Sequence, residues 1–188
     1  VLEDLAMPAS SGTPHLDLDT SDSYEPSVDR ISASLAQAQR PILVFGGGAA
    51  HSAYAQDHAA KVMNKFGAAA FTTYAGRGVV PADHPLYFGS CLARPDSAAI
   101  FAQADLVIAF GTSLDEVDVW RDHLGHNCPL IRVDIDPEVL VDKNTNGMKI
   151  LAQADVVLAH LLDSTESSVK TSWTATEVAT IRARWRAE

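Results

Sequence analysis

The sequence predicts a doubly wound, Rossmann-like α/β domain, with a parallel sheet of five or six strands and helices on both faces. Short, almost uniformly apolar runs such as PILVF, DLVIAF and PLIRVDID recur along the chain, and segments with apolar residues at helical spacing alternate with them. Strands that are apolar on both faces belong to sheets covered on both sides, and alternation with helices makes such a sheet parallel. In addition, four of the strands run directly into Gly, Thr or Asp. In this architecture ligands bind beyond the carboxyl ends of the strands, so those residues are the ones to inspect.

The first segment, VLEDLAMP followed by ASSGTPHLDLDTSDSYEPS, is rich in Ser, Asp and Pro and reads as an interdomain linker over residues 1–26. From Ser27, a suitable N-cap, SVDRISASLAQAQ sets Val28, Ile31, Leu35 and Ala38 at helical spacing. PILVF is a buried strand opened by Pro41, at a position where a missing N–H is tolerated. SAYAQDHAAKVMNKF places Ala55, Ala59, Val62, Met63 and Phe66 on one stripe, and Gly67 stops the helix. AAAFTT is the next strand. Tyr74 to Pro95 reads as a long irregular segment, and loops of that length favour function.

DSAAIFAQA then reads as a helix, DLVIAF as a strand, GTSLDEVDVWRDHL as a helix and PLIRVDID as a strand. PEVLVDK is a short helix with Pro137 in its first turn, MKIL a short strand and ADVVLAHLL a helix. These elements delimit a domain over residues 27–163. A polar stretch and a further helix, TATEVATIRARWRAE, fill residues 164–188.

A chain of 188 residues suits one domain, and at 47% hydrophobic and 20% charged it can bury a core. The net charge of -10 argues against nucleic acid and anionic membranes, whose partners rely on Lys and Arg. No apolar run approaches the roughly 20 residues of a membrane-spanning helix. Cys91 and Cys128 are the only cysteines and read as free thiols in a reducing compartment. Nothing at the start reads as a signal peptide, and the expected location is cytoplasmic.

Gly46, Gly47 and Gly48 follow the first strand, and glycine lets backbone N–H groups approach a phosphate at a helix N-terminus. The competing reading is a tight strand-to-helix turn, since His51 stands where a dinucleotide fingerprint has its third glycine. Thr72 and Thr73 follow the second strand, and beyond them Gly76 and Gly78 flank Arg77, a cation able to face a phosphate or another subunit. Gly111, Thr112, Ser113 and Asp115 follow the third. Asp134 and Asp136 follow the fourth, where a carboxylate either accepts ribose hydroxyls or caps the turn before Pro137. His123, His126 and Cys128 lack a recognised zinc spacing. Ser52 and Ser113 lack a nucleophile elbow, and there is no phosphate-binding P-loop. No residue is assigned a catalytic or metal-binding role.

PILVFGGGA, FGAAAFTTYAGRGVVPADHPLYFG, ADLVIAFGTSLDE and PLIRVDIDPEVL, in this order and spacing, resemble the central domain of thiamine-diphosphate-dependent enzymes. The similar group comprises acetolactate synthase, benzoylformate decarboxylase and oxalyl-CoA decarboxylase, and the resemblance runs from about Ser27 to Leu162. It implies a non-catalytic domain that serves as scaffold and subunit contact in a 2-oxo acid decarboxylase or acetolactate-synthase-like enzyme, and the opening segment matches the junction after that family's pyrimidine-binding domain. Thiamine diphosphate and Mg²⁺ would be held by the two other domains of a dimeric or tetrameric parent, whose G-D-G motif is absent from this sequence. The resemblance also implies that FAD, or an ADP or CoA moiety, if held here, would contact Gly46, Gly47, Gly48, Thr73, Gly76, Gly111, Thr112, Asp115 and Asp134. Ser113 replaces an arginine common in acetolactate synthases, and Ala152-Gln153 replace a common Gly-Asp, which points to a crevice that has lost part of its ligand set. A protein deacylase on a similar NAD-binding fold would carry paired C-x-x-C motifs, whereas Cys91 and Cys128 are isolated.

Overall fold

The computed structural model describes residues 25–141, 147–167 and 171–188. The linker expected over residues 1–26 therefore lies, up to residue 24, outside the described residues. Six strands, β1 (Pro41–Phe45), β2 (Ala69–Thr72), β3 (Tyr87–Gly89), β4 (Leu106–Phe110), β5 (Leu130–Asp134) and β6 (Lys149–Leu151), form one sheet in the order β3-β2-β1-β4-β5-β6. Every neighbouring pair is parallel, with Ile42 beside Ala69 and Val107, and Val107 in turn beside Leu130.

Period-two alternation divides the core into two layers. Leu43, Phe45, Ile108 and Phe110 face α1 (Glu25–Gln37), α2 (Ala55–Phe66) and α5 (Ala154–Asp163). Ile42, Val44, Val107 and Ala109 face α3 (Ser97–Phe101), α4 (Glu116–Val119) and α6 (Ala175–Ala187). On the first face the α2 stripe is buried as its spacing predicts, and Gly67 closes the helix at φ 60 with its N–H on the Met63 carbonyl. Lys65 extends from α2 to donate to the carbonyls of Leu161, Leu162 and Ser164, which caps the carboxyl end of α5. On the second face Phe71 stacks on Phe88 and Phe101 at 4.7 and 4.9 Å, and Trp185 of α6 packs against Phe71 and Phe88.

The sequence misplaces several boundaries. Helix α1 begins at Glu25, so Ser27 lies inside it rather than capping it; Pro26 fits the first turn, where its missing N–H is not needed. The segment from Tyr74 to Pro95 contains β3, a three-residue edge strand held by Phe88 stacking and by a hydrogen bond between the Tyr87 and Thr72 hydroxyls. The helix expected over residues 111–124 reduces to α4, because Trp120 turns left-handed at φ 51. Arg121 then donates to the carbonyls of Leu92, Val119, His123 and Leu124, taking the place of bonds a continuing helix would have made. Of the short helix expected from Pro137, the described residues form a 3₁₀ turn, Val139–Val141, and its last two positions lie outside them. Among the described residues, no helix is long and apolar enough to cross a membrane.

Candidate functional site

The chain leaves β1 for β2 on one side, while β4 lies on the other, so the order of connection reverses between β1 and β4. Ligands bind in doubly wound sheets beyond the carboxyl ends of the strands at this switch point. Here the loops after β1, β2 and β4 close on one another through glycines. Gly46 donates its N–H to the Phe110 carbonyl and Gly48 donates to the Gly111 carbonyl, both at 2.9 Å. A Cβ on Gly46 would lie 2.2 Å from the Gly111 oxygen, and one on Gly76 would lie 2.1 Å from the Phe45 oxygen. Gly111, at φ +58, leaves equally little room beside the Ala49 nitrogen. These glycines therefore permit backbone-to-backbone packing, and two of the three N–H groups in the Gly46–Gly48 turn are engaged within the protein.

A crevice of about 300 Å³ opens beside this junction, between the turn after β1, the ends of β4 and β5, and the start of α5. Of the residues expected to contact a ligand, it brings together Gly48, Gly111 and Asp134; His51, Ser52 and Ile135 also line it, as does the Ala152–Asp155 run. Thr73 is buried beneath the junction, where its hydroxyl accepts the Gly76 N–H. Thr112 is also buried and accepts from the Leu114 N–H. Gly46, Gly47 and Gly76 build the packed turns, and Asp115 faces a different hollow with Ser113, Arg132, Asp136 and Glu138. Asp134 accepts the Asp136 N–H and Asp136 accepts the Glu138 N–H, the turn-capping role that competes with ribose recognition. Arg77 lies over the Tyr74 ring and donates to the Ser90 hydroxyl. A larger open depression, about 800 Å³, lies at the opposite edge of the sheet among Arg30, Asp105 and Lys149, away from the strand carboxyl ends.

Among the described residues, the lining of the crevice contains the carboxylates of Asp134 and Asp155 and no lysine or arginine. The amino end of α5 opens onto it, but Asp155 in that first turn already supplies the negative charge such an end attracts. This donor set suits a hydroxyl-bearing group and opposes a diphosphate. The sequence offered no cation after β4, yet the structure brings one from β5: Arg132, only 2% exposed, donates to the Thr112 and Ser113 carbonyls. Its guanidinium braces the turn from below. Burial raises the carboxyl of Asp118, with nearby Asp115 pushing the same way. Among the described residues, no group of three or more His, Cys, Asp or Glu side chains is placed to hold a metal ion.

Ala152 and Gln153, which the resemblance marked as departures from a common Gly-Asp, line the crevice, whereas Ala154 and Asp155 beside them were not assigned. Their signal was the position of MKIL as the last strand, since the turn after any strand of such a sheet faces the same edge.

Comparison with known proteins agrees with this architecture. The family described as thiamine pyrophosphate enzyme, central domain, matches residues 28–161. The probable 2-ketoarginine decarboxylase AruI of Pseudomonas aeruginosa is 37% identical over 154 residues, covering 81% of this chain and 27% of that protein. Pyruvate oxidase of Lactiplantibacillus plantarum is 26% identical, covering 86% and 26%. An acetolactate synthase of Arthrospira platensis is 31% identical, covering 70% and 24%. The chain thus spans about a quarter of the length of these relatives. In fold it superposes on a thiamine diphosphate-dependent 4-hydroxybenzoylformate decarboxylase of Rhodococcus jostii with a TM-score of 0.64 at 20% identity, covering 78% of this chain and 28% of that one. A six-stranded parallel sheet with its switch point at the Gly46–Gly48 turn, matched over most of its length, places this chain in the thiamine pyrophosphate enzyme family as its central domain.

Proposed function

We propose that the chain is the central, non-catalytic part of a longer thiamine-diphosphate-dependent enzyme, a 2-oxo acid decarboxylase or an acetolactate-synthase-like protein. Its work there is to act as a scaffold and subunit contact. Thiamine diphosphate and Mg²⁺ belong to the other domains of that protein, which is a dimer or tetramer in the cytoplasm. The observation that carries this reading is the closed glycine junction. The N–H groups of Gly46 and Gly48 are bonded to the carbonyls of Phe110 and Gly111, and the adjoining crevice offers carboxylates where a diphosphate needs cations.

The alternative is a working FAD or ADP/CoA site, with Gly46, Gly47, Gly48, Thr73, Gly76, Gly111, Thr112, Asp115 and Asp134 as its contacts. The crevice volume of about 300 Å³ and the position of Asp134 within it favour this second reading. Purification followed by a visible spectrum and thermal melts with FAD, ADP and CoA separates the two. The scaffold reading expects a colourless protein whose melting temperature stays put. A ligand present at ~100 times its Kd would stabilise the fold by about 2.7 kcal/mol, so a genuine site would register as a clear upward shift. Assay of the full-length protein for thiamine-diphosphate-dependent release of CO₂ from 2-oxo acids tests the wider assignment.

A further inference from the structure

Among the described residues, the large apolar side chains left in solvent lie on one side of the molecule. Tyr74 follows β2, Tyr54 follows β1, Val117 and Trp120 stand on α4 after β4, Ile135 follows β5 and Leu151 ends β6; their exposures run from 43% to 74%. In a parallel sheet all these points fall at the carboxyl edge, so five adjacent strands each hold an apolar group out into water. Single exposed apolar residues are ordinary, whereas a set gathered on one face marks an interaction surface. The backbone points the same way. Among the described residues the non-glycine positions at positive φ are Leu114 and Trp120, and they bracket α4. Such conformations are unfavourable for residues with a Cβ and cluster where function requires them. Here one of them presents a tryptophan that is 70% exposed.

Charge narrows the identity of the partner. Among the described residues, the exposed Asp, Glu, Lys and Arg side chains next to Val117, Trp120 and Ile135 in the chain are Asp115, Glu116, Asp122, Asp136 and Glu138. Arg121 and Arg132, the arginines next to these residues in the chain, are turned inward onto backbone carbonyls. A second copy docked isologously on this face would set these carboxylates against their own equivalents, which is repulsive. A surface with an apolar centre bordered by Lys and Arg would be complementary. The relatives are roughly four times as long as this chain, so the remainder of the same polypeptide is available to supply it.

We propose that the carboxyl edge of the sheet, centred on Val117, Trp120 and Ile135, is the docking face for another domain of the same longer polypeptide, and that this domain meets it with an apolar patch bordered by basic residues. The proposal rests on the reading of the chain as one domain of a thiamine-diphosphate enzyme. Hydroxyl-radical footprinting of the full-length protein tests it, with Trp173 and Trp185 as internal buried references. Exposures of 70% against 5% and 7% set about a tenfold difference in oxidation rate between Trp120 and those two if the edge is bare. Docking predicts that Trp120 oxidises as slowly as they do. It also predicts that Val117→Glu, or Glu116→Lys, restores fast oxidation of Trp120, while Glu166→Lys on the opposite side of the molecule does not. Fast oxidation of Trp120 in a protein that binds thiamine diphosphate overturns the docking face and leaves the family-level function standing. Protection that disappears on dilution, in step with loss of a homodimer, assigns the face to a second copy and also overturns the proposal. A protected Trp120 in a protein that does not bind thiamine diphosphate upholds the docking face and removes the proposed function.

Discussion

Gly46 and Gly111 have no space for a methyl group. A Cβ on Gly46 would meet the Gly111 oxygen at 2.2 Å and the Thr112 Cβ at 2.4 Å, and one on Gly111 would meet the Ala49 nitrogen at 2.5 Å while holding an alanine at φ +58. The contacts are with backbone, which cannot swing aside as a long side chain does. Gly46→Ala and Gly111→Ala are therefore each expected to lower stability by about 3 kcal/mol, the upper part of the range for overpacking, as read from urea unfolding midpoints. His84 acts through protons. Its Nδ1 accepts the Leu86 N–H and its Nε2 faces the Asn64 side-chain oxygen, so both ring nitrogens are committed in the neutral form. Burial pushes its pKa below the ordinary 6.5, and Asp83 pulls it only part of the way back. At pH values just below 6.5 the unfolded chain then binds a proton that the folded chain refuses. Stability is complete above that value and falls as the pH drops toward the depressed native pKa. Burial shifts His126 the same way, with His123 adding to it. Urea midpoints measured across this window should decline with acidification, and His84→Gln should flatten the decline by its share.

Helix α6 is tied to the sheet by more than apolar contact. Trp185 packs on Phe71 and Phe88 while its Nε1 donates to Asp96, which also accepts from Arg184. Removing the indole leaves a cavity beside Phe71 and Phe88 and takes from the Asp96 Oδ2 one of its two donors, the other being Arg184. Trp185→Ala should cost about 3–5 kcal/mol by thermal or chemical denaturation. Elements of this kind differ in how plainly the sequence announced them. Helix α2 was legible because its apolar stripe, its length and Gly67 agree with one another. Helix α4 was not: DEVDVWRD carries a helical pattern, but the left-handed turn at Trp120 is followed by Arg121, whose guanidinium reaches the Leu92 carbonyl 29 residues earlier. Strand β3 was hidden by its brevity, since the three residues Tyr87–Gly89 have no periodicity and are held by Phe71 and Thr72 of the neighbouring strand. The crevice was partly visible for a related reason. Gly48, Gly111 and Asp134 stand at strand ends and could be read as such. The contribution of Asp155 requires knowing that β6 lies beside β5, which is a fact of topology rather than of local pattern.

Across the whole molecule, stability is graded from the middle of the sheet outward. Strands β1 and β4 are five residues long, buried throughout and paired on both sides, while β3 and β6 are three residues long and pair on one side only. Local opening follows such differences. Amide hydrogen exchange should be slowest in β1 and β4, intermediate in β2 and β5 and fastest in β3 and β6; uniform protection across the six strands would contradict this account. The opposite edge of the sheet holds one more consequence. The Gln39 carbonyl accepts from the Ser172 N–H, the Pro41 carbonyl accepts from the Trp173 indole, and Arg40 pairs with Glu177. The turn that starts the first strand thus finds its partners more than 130 residues later. During synthesis at about 5–20 residues per second, several seconds separate the two halves of that clasp. Until residues 171–188 emerge, the nascent chain carries an unlatched first turn and a Phe71 and Phe88 without their tryptophan cover. Its vulnerability to misassembly on the ribosome lasts until that segment appears.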